Sequence, residues 1–124
     1  MDERIRAALS RGHVIDMTTT GRKSGLARRV EVVFHNIDGR LYVSGMPFAR
    51  RRSWLANLEA NPRFTFHLKG AVRADLPARA RIITDPDERR SVLSVIAQNW
   101  KRKDVERMVH ESPLIEVEIE NRAA

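Results

Sequence analysis

From Leu114 to Glu120 the chain alternates without a break, Ile115, Val117 and Ile119 against Glu116, Glu118 and Glu120. A period of two gives an extended strand one apolar and one charged face, and it cannot give a helix a single apolar stripe. The same period recurs at Phe64 and Phe66 against Thr65 and His67. It recurs again where Val72, Ala74, Leu76, Ala78, Ala80 and Ile82 stand against Arg73, Asp75, Arg79 and Arg81, with a bend expected near Pro77. Val14 to Thr20 is rich in β-branched residues. Arg29 to Ile37 leads through Asp38-Gly39, the strongest short hairpin signal, into Arg40 to Ser44. Strands that each bury one face and follow one another at this spacing pair antiparallel, and they protect their edges best by curling shut.

Three helices are expected around them. Asp2 to Ser10 sets Ile5 and Leu9 four residues apart and should lie across the barrel. Arg52 to Glu59 places Trp54, Leu55 and Leu58 on one face before Asn61-Pro62 ends it. Asp85-Pro86-Asp87-Glu88 is a cap, a first-turn proline and an acid three residues beyond the cap, after which Val92, Ile96 and Trp100 continue at four-residue spacing. The order is helix, three strands, helix, two strands, helix, strand, with no repeat or linker. The reading is therefore a mainly β (α+β) closed or split barrel of about six strands, residues 1–124 forming one domain.

The chain lacks cysteine, which excludes disulfides, thiolate catalysis and cysteine-ligated metals. His13, His35, His67 and His110 have neither metal-ligand spacing nor an evident carboxylate partner, so no metal site is expected. No Ser/His/Asp arrangement is legible from order alone, and redox work would need a borrowed cofactor. No secretion signal and no stretch of membrane-spanning length appear, so a soluble, cytoplasmic protein without a membrane span is expected. A formal charge of +7 calls for an anionic partner: nucleic acid, an anionic surface or a phosphorylated cofactor.

Two basic loops could supply the contacts. Thr18-Thr19-Thr20-Gly21-Arg22-Lys23-Ser24-Gly25, then Arg28, sets glycines that permit a sharp turn beside cations and hydroxyls, a phosphate cradle in outline, although the spacing is not that of a P-loop. Ser44-Gly45-Met46-Pro47 leads through Phe48 and Ala49 to Arg50, Arg51 and Arg52 and into the helix carrying Ser53 and Trp54. Each would serve equally as a solvated turn or charge run, but both flank one hairpin and so could form one anionic groove. Phe64, Phe66 and Tyr42 read as core rather than as a base-stacking platform, and Trp100 as helix packing.

The string Thr18 to Gly25 with Arg28, followed by Gly39 to Val43 and then by Trp54-Leu55-Ala56-Asn57-Leu58 and Ala60-Asn61-Pro62, resembles the deazaflavin (F420)-dependent nitroreductase family. That family shows TTxGRKSGxxR and WyxNLxANP in this order. The resemblance implies a split β-barrel of the FMN-binding kind that holds reduced F420 and delivers hydride to quinones, enones or nitro compounds. It implies that Arg22, Lys23, Ser24 and Arg28 hold the phosphate and acidic tail, that Val43, Ser44, Gly45 and Met46 line the deazaflavin ring, and that Ser53, Trp54 and Asn57 brace the second loop. Ser44 is then the candidate polar contact near the reacting carbon. The chain departs from the pattern at Pro47 to Arg52 and lacks late-helix tyrosines. FMN is the alternative cofactor. The rival readings are a non-catalytic carrier of F420, flavin, haem or a fatty acid, and, less favoured because no nucleic-acid motif accompanies the charge, a basic nucleic-acid-binding module. A free barrel edge leaves a homodimer open.

Overall fold

The computed structural model describes residues 2–120. Asp38 and Gly39 both adopt positive φ, 53° and 87°, the backbone that lets a two-residue turn follow strand twist. They join β2 (Ala27–Ile37) to β3 (Arg40–Ser44), with Ile37 opposite Arg40. With β1 (Val14–Thr20), β4 (Arg63–Leu68), β5 (Ala74–Ile82) and β6 (Leu114–Ile119), the strands close in the order β1-β2-β3-β6-β5-β4, every neighbouring pair antiparallel.

The closure has a split. β2 pairs with β1 from Ala27 to Val33 but with β3 only from Val33 to Ile37. Residues 27–32 therefore meet no strand on the β3 side, and this open half-edge positions the site described below.

Inward-facing Ile15, Met17, Phe34, Val43, Phe66 and Ile115, all at most 1% exposed, fill the barrel, and the rings of Phe34 and Phe66 meet edge to face at 5.2 Å. The helix α1 (Glu3–Arg11), capped by Asp2 on the Arg4 amide, packs Ile5 and Leu9 against this core. Its exit at Gly12 has φ +69°, and a Cβ there would lie 3.1 Å from the Phe34 carbonyl oxygen, so the close approach of the chain to β2 requires glycine.

A second core lies outside the barrel wall, where Tyr42, Ile83 and Leu114 pack against α3 (Pro86–Asn99) and α4 (Val105–Glu111). Asp85 caps α3 as expected, its carboxylate accepting the Glu88 amide at 2.9 Å. Four helices appear among the described residues, not three. The extra break arises because Lys101 takes a left-handed φ of 56° and the Arg102 amide turns back to the Ala97 carbonyl, ending α3 before the chain re-enters a helix at Val105.

Candidate functional site

The split in the barrel opens into a groove of about 820 Å³. One wall is the half of β2 without a β3 partner, Arg28 to Val32, with Val33 at its end; the other is the segment from Ser44 to Trp54 with Asn57 of α2 (Ser53–Ala60). The β1–β2 loop, residues 21–24, closes one end. An open backbone edge of this kind, flanked by valine side chains, suits a flat polar ring laid along it, and the size falls within the range of cofactor sites.

The loop is built tightly. The Gly21 amide donates to the Leu26 carbonyl and the Gly25 amide to the Gly21 carbonyl, each at 2.8 Å. A Cβ on Gly21 would strike Ser24 Oγ at 2.8 Å, and Gly25 has φ +71°. Ser24 Oγ accepts the Leu26 amide at 3.1 Å, which leaves its proton free to donate. Arg22 turns inward: its amide and its Nη1 both donate to Asn57 Oδ1, at 3.1 and 2.9 Å, and Nη1 also reaches the Ser53 carbonyl at 3.5 Å. Lys23 and Arg28 make no ion pair among the described residues, although both line the groove.

On the facing wall, Ser44, Gly45, Met46, Ser53 and Trp54 line the groove, whereas Val43 is fully buried inside the barrel and does not. The Ser44 hydroxyl donates to the Pro113 carbonyl at 2.7 Å, so toward the groove it can only accept. Arg52 lies over Gly45, where a Cβ would sit 3.0 Å from its guanidinium carbon, and donates to the Met46 carbonyl at 2.9 Å. Burial, without a carboxylate beside it, pushes the Arg52 guanidinium below its usual value.

Along the β2 wall the charges are neutralised. Asp16 accepts from Arg29 and Lys69, both at 2.9 Å, and Lys69 also pairs with Glu31. These bonds hold the Asp16 carboxyl below its ordinary value, Lys69 contributing most. The site's positive field therefore comes from Arg22, Lys23, Arg28 and Arg52, none of which makes an ion pair among the described residues.

Thr19 and Arg52, members of the two basic loops, line the groove, and so do Trp100 and the β2 residues Arg29 to Val33, which sequence reading did not place there. Trp100 sits at the end of α3, half-exposed, with its ring 5.2 Å from that of His35; its four-residue spacing from Ile96 signalled only packing. His67 does find a carboxylate partner, Nδ1 lying 2.7 Å from Asp75 Oδ1 and Nε2 2.7 Å from Thr18 Oγ1. That chain crosses three strands, which explains its invisibility in sequence order. Phe64, Phe66, Tyr42 and Trp54 are buried.

The donor set fits a phosphorylated, flat, partly apolar ligand: two unpaired cations and a free hydroxyl proton at one end, and a valine and tryptophan wall beside an open backbone edge. Among the described residues no group of three or more His, Asp or Glu is placed to hold a metal ion, and no helix is long and apolar enough to cross a membrane.

The family model described as F420H(2)-dependent quinone reductase matches residues 2–122. No curated protein matches the sequence. Solved structures of the same fold include a conserved hypothetical protein from Mycobacterium tuberculosis at 16% identity and TM-score 0.75, covering 98% of this chain and 81% of that one. An F420-H2 dependent reductase is similar at 22% identity and TM-score 0.61, covering 85% of this chain and 93% of that one. A chain described as a domain-swapped dimer is similar at 21% identity and TM-score 0.63, covering 94% and 95%.

Proposed function

The chain belongs to the F420H2-dependent quinone reductase family, and from that premise we propose that it holds reduced F420 in the groove beside β2 and passes hydride to a small electrophile, a quinone, an enone or a nitro compound. The observation that carries this reading is the meeting of a strand edge open on its β3 side with cations that no carboxylate of the described residues neutralises, Lys23 and Arg28 foremost because their side chains make no hydrogen bond within the protein either. When bound, the deazaflavin supplies the hydride by its own chemistry.

The protein's part is to bind, orient and shield. Lys23, Arg28 and the Ser24 hydroxyl hold the phosphate and acidic tail through charge-assisted hydrogen bonds. Arg22 keeps that loop in place by its bonds to Asn57. Val30, Val32 and Val33 line the ring's berth with Trp54 and exclude water from one side. Ser44, its proton committed to Pro113, offers only a lone pair to the ring or acceptor. Glu31, the carboxylate that lines the groove, is paired with Lys69, and solvent at the open side supplies the proton that accompanies the hydride. A homodimer belongs to this proposal as well, as in the similar chain described as a domain-swapped dimer.

Fluorescence titration with reduced and oxidised F420, on the parent and on a Lys23→Ala, Arg28→Ala variant, tests the cofactor; oxidation of F420H2 by a soluble benzoquinone tests turnover. Tight binding lost in the variant, with quinone-dependent oxidation, is expected. Binding of FMN in place of either F420 form, or of neither, refutes the reading. Binding without oxidation of F420H2 by any acceptor class would leave a carrier.

A further inference from the structure

A second cavity, of about 470 Å³, lies on the other side of Arg52, between the arginine-rich segment and the ends of α3 and α4. The Phe48 amide approaches the Glu111 carbonyl at 3.5 Å, which seats that segment over the end of α4. Three features of the cavity remain unaccounted for by folding. Ser112 is 4% exposed, and its Oγ has no hydrogen-bond partner among the described residues, a state that costs stability unless something occupies it. Arg89 donates only to carbonyl oxygens, at Ile83, Met108, Val109 and Ser112, and makes no ion pair among the described residues, the Glu111 that also lines the cavity being paired with Arg107. Burial pushes its guanidinium, like that of Arg52, below the usual value. Arg50 makes no ion pair among the described residues, whereas neighbouring Arg51 and Arg90 are paired with Glu59 and Glu106. Phe48, 57% exposed, stands at the lip, and Leu55 lines the interior.

We propose that this cavity is a second binding site, separate from the coenzyme groove, for a small organic anion: a carboxylate or phosphate taken by Ser112 Oγ and Arg50 in the field of Arg89, with an apolar body against Phe48 and Leu55. An anion there completes the Ser112 hydroxyl and balances buried positive charge that the protein leaves open. The site does not depend on the coenzyme reading, since Lys23, Ser24 and Arg28 line only the groove.

The test is methyl NMR on the full chain, titrated at constant ionic strength with phenyl phosphate, inorganic phosphate and chloride. Saturable shifts at Leu55, Ile83 and Val109 methyls are expected, with half-saturation below about 10 mM for phenyl phosphate, the range that a few charge-assisted hydrogen bonds support. Inorganic phosphate should bind more weakly, and chloride should not saturate. Arg50→Gln and Ser112→Ala should each weaken binding about tenfold. Ser112→Ala removes an unpaired hydroxyl, so it keeps the fold. Lys23→Ala should leave these shifts unchanged while abolishing any at the groove, so failure at one site is read apart from failure at the other. Absence of saturable shifts at the three residues, equal response to chloride, no gain from the phenyl group, or indifference to both cavity variants overturns the proposal.

Discussion

Asn57 Oδ1 takes two hydrogen bonds from one residue, the amide and the guanidinium of Arg22, at 3.1 and 2.9 Å, while Asn57 Nδ2 donates to Thr19 Oγ1 at 3.1 Å. One side chain of α2, 3% exposed, thus ties the basic loop to the rest of the groove. Asn57→Ala takes the acceptor from two Arg22 donors and the donor from buried Thr19 Oγ1, and should cost about 1 kcal/mol of stability. F420 affinity should fall as well, because the loop loses its anchor. Urea unfolding and F420 titration on the same variant check both. A variant that binds F420 as the parent does would remove Arg22 and Asn57 from the site's support.

His35 is 7% exposed, its Nε2 has no partner among the described residues, and burial alone holds the imidazole below its ordinary value. The unfolded chain protonates near pH 6.5 while the folded one resists. Below about pH 6.5 the unfolded state therefore binds more protons, and stability falls as pH falls; above that pH the contribution is fully present. His35→Phe should flatten this acid limb. Urea midpoints between pH 5 and 8 measure it, and parallel curves for parent and variant would exclude His35 as the source.

Gly45 carries no left-handed strain, but a Cβ there meets the Arg52 guanidinium at 3.0 to 3.2 Å. A flexible side chain can yield, so Gly45→Ala should cost less than about 1 kcal/mol of stability. What moves is Arg52, away from the Met46 carbonyl that it holds at 2.9 Å. F420 affinity should change by more than the unfolding free energy does. A large drop in stability would show that Arg52 cannot move.

Arg81 forms a bidentate pair with Glu88 at 2.5 and 3.0 Å and also reaches Glu116 at 2.8 Å, joining the start of α3 to β6. The Glu88 bonds, then those of Glu116, raise its affinity for the proton. The groups are partly exposed, so Arg81→Ala should cost about 1 kcal/mol at low salt and less at 1 M salt, where screening acts within a few ångströms. Thermal melts at both ionic strengths decide the point; a cost that salt does not reduce would mean lost packing instead.

The secondary structure was legible because each signal is local. The alternation of Ile115, Val117 and Ile119, the Asp38-Gly39 turn, and the Asp85-Pro86 helix start each act through residues a few positions apart, and every one of these elements stands where its pattern puts it. The α3–α4 break escaped, since its cause is the left-handed turn at Lys101, a residue type with no turn signal of its own.

The strands, the barrel they close and the two basic loops beside one hairpin can be read from residue order, because side-chain period and turn chemistry are properties of neighbouring residues. What those loops face is set by long-range contacts. Arg22 turns to Asn57, 35 residues on, and Ser44 spends its proton on Pro113, 69 residues on. Val43 points into the barrel while Trp100 arrives at the groove. Hydrogen-bond partners and open strand edges depend on the register at which distant segments close, and no spacing along the chain records it.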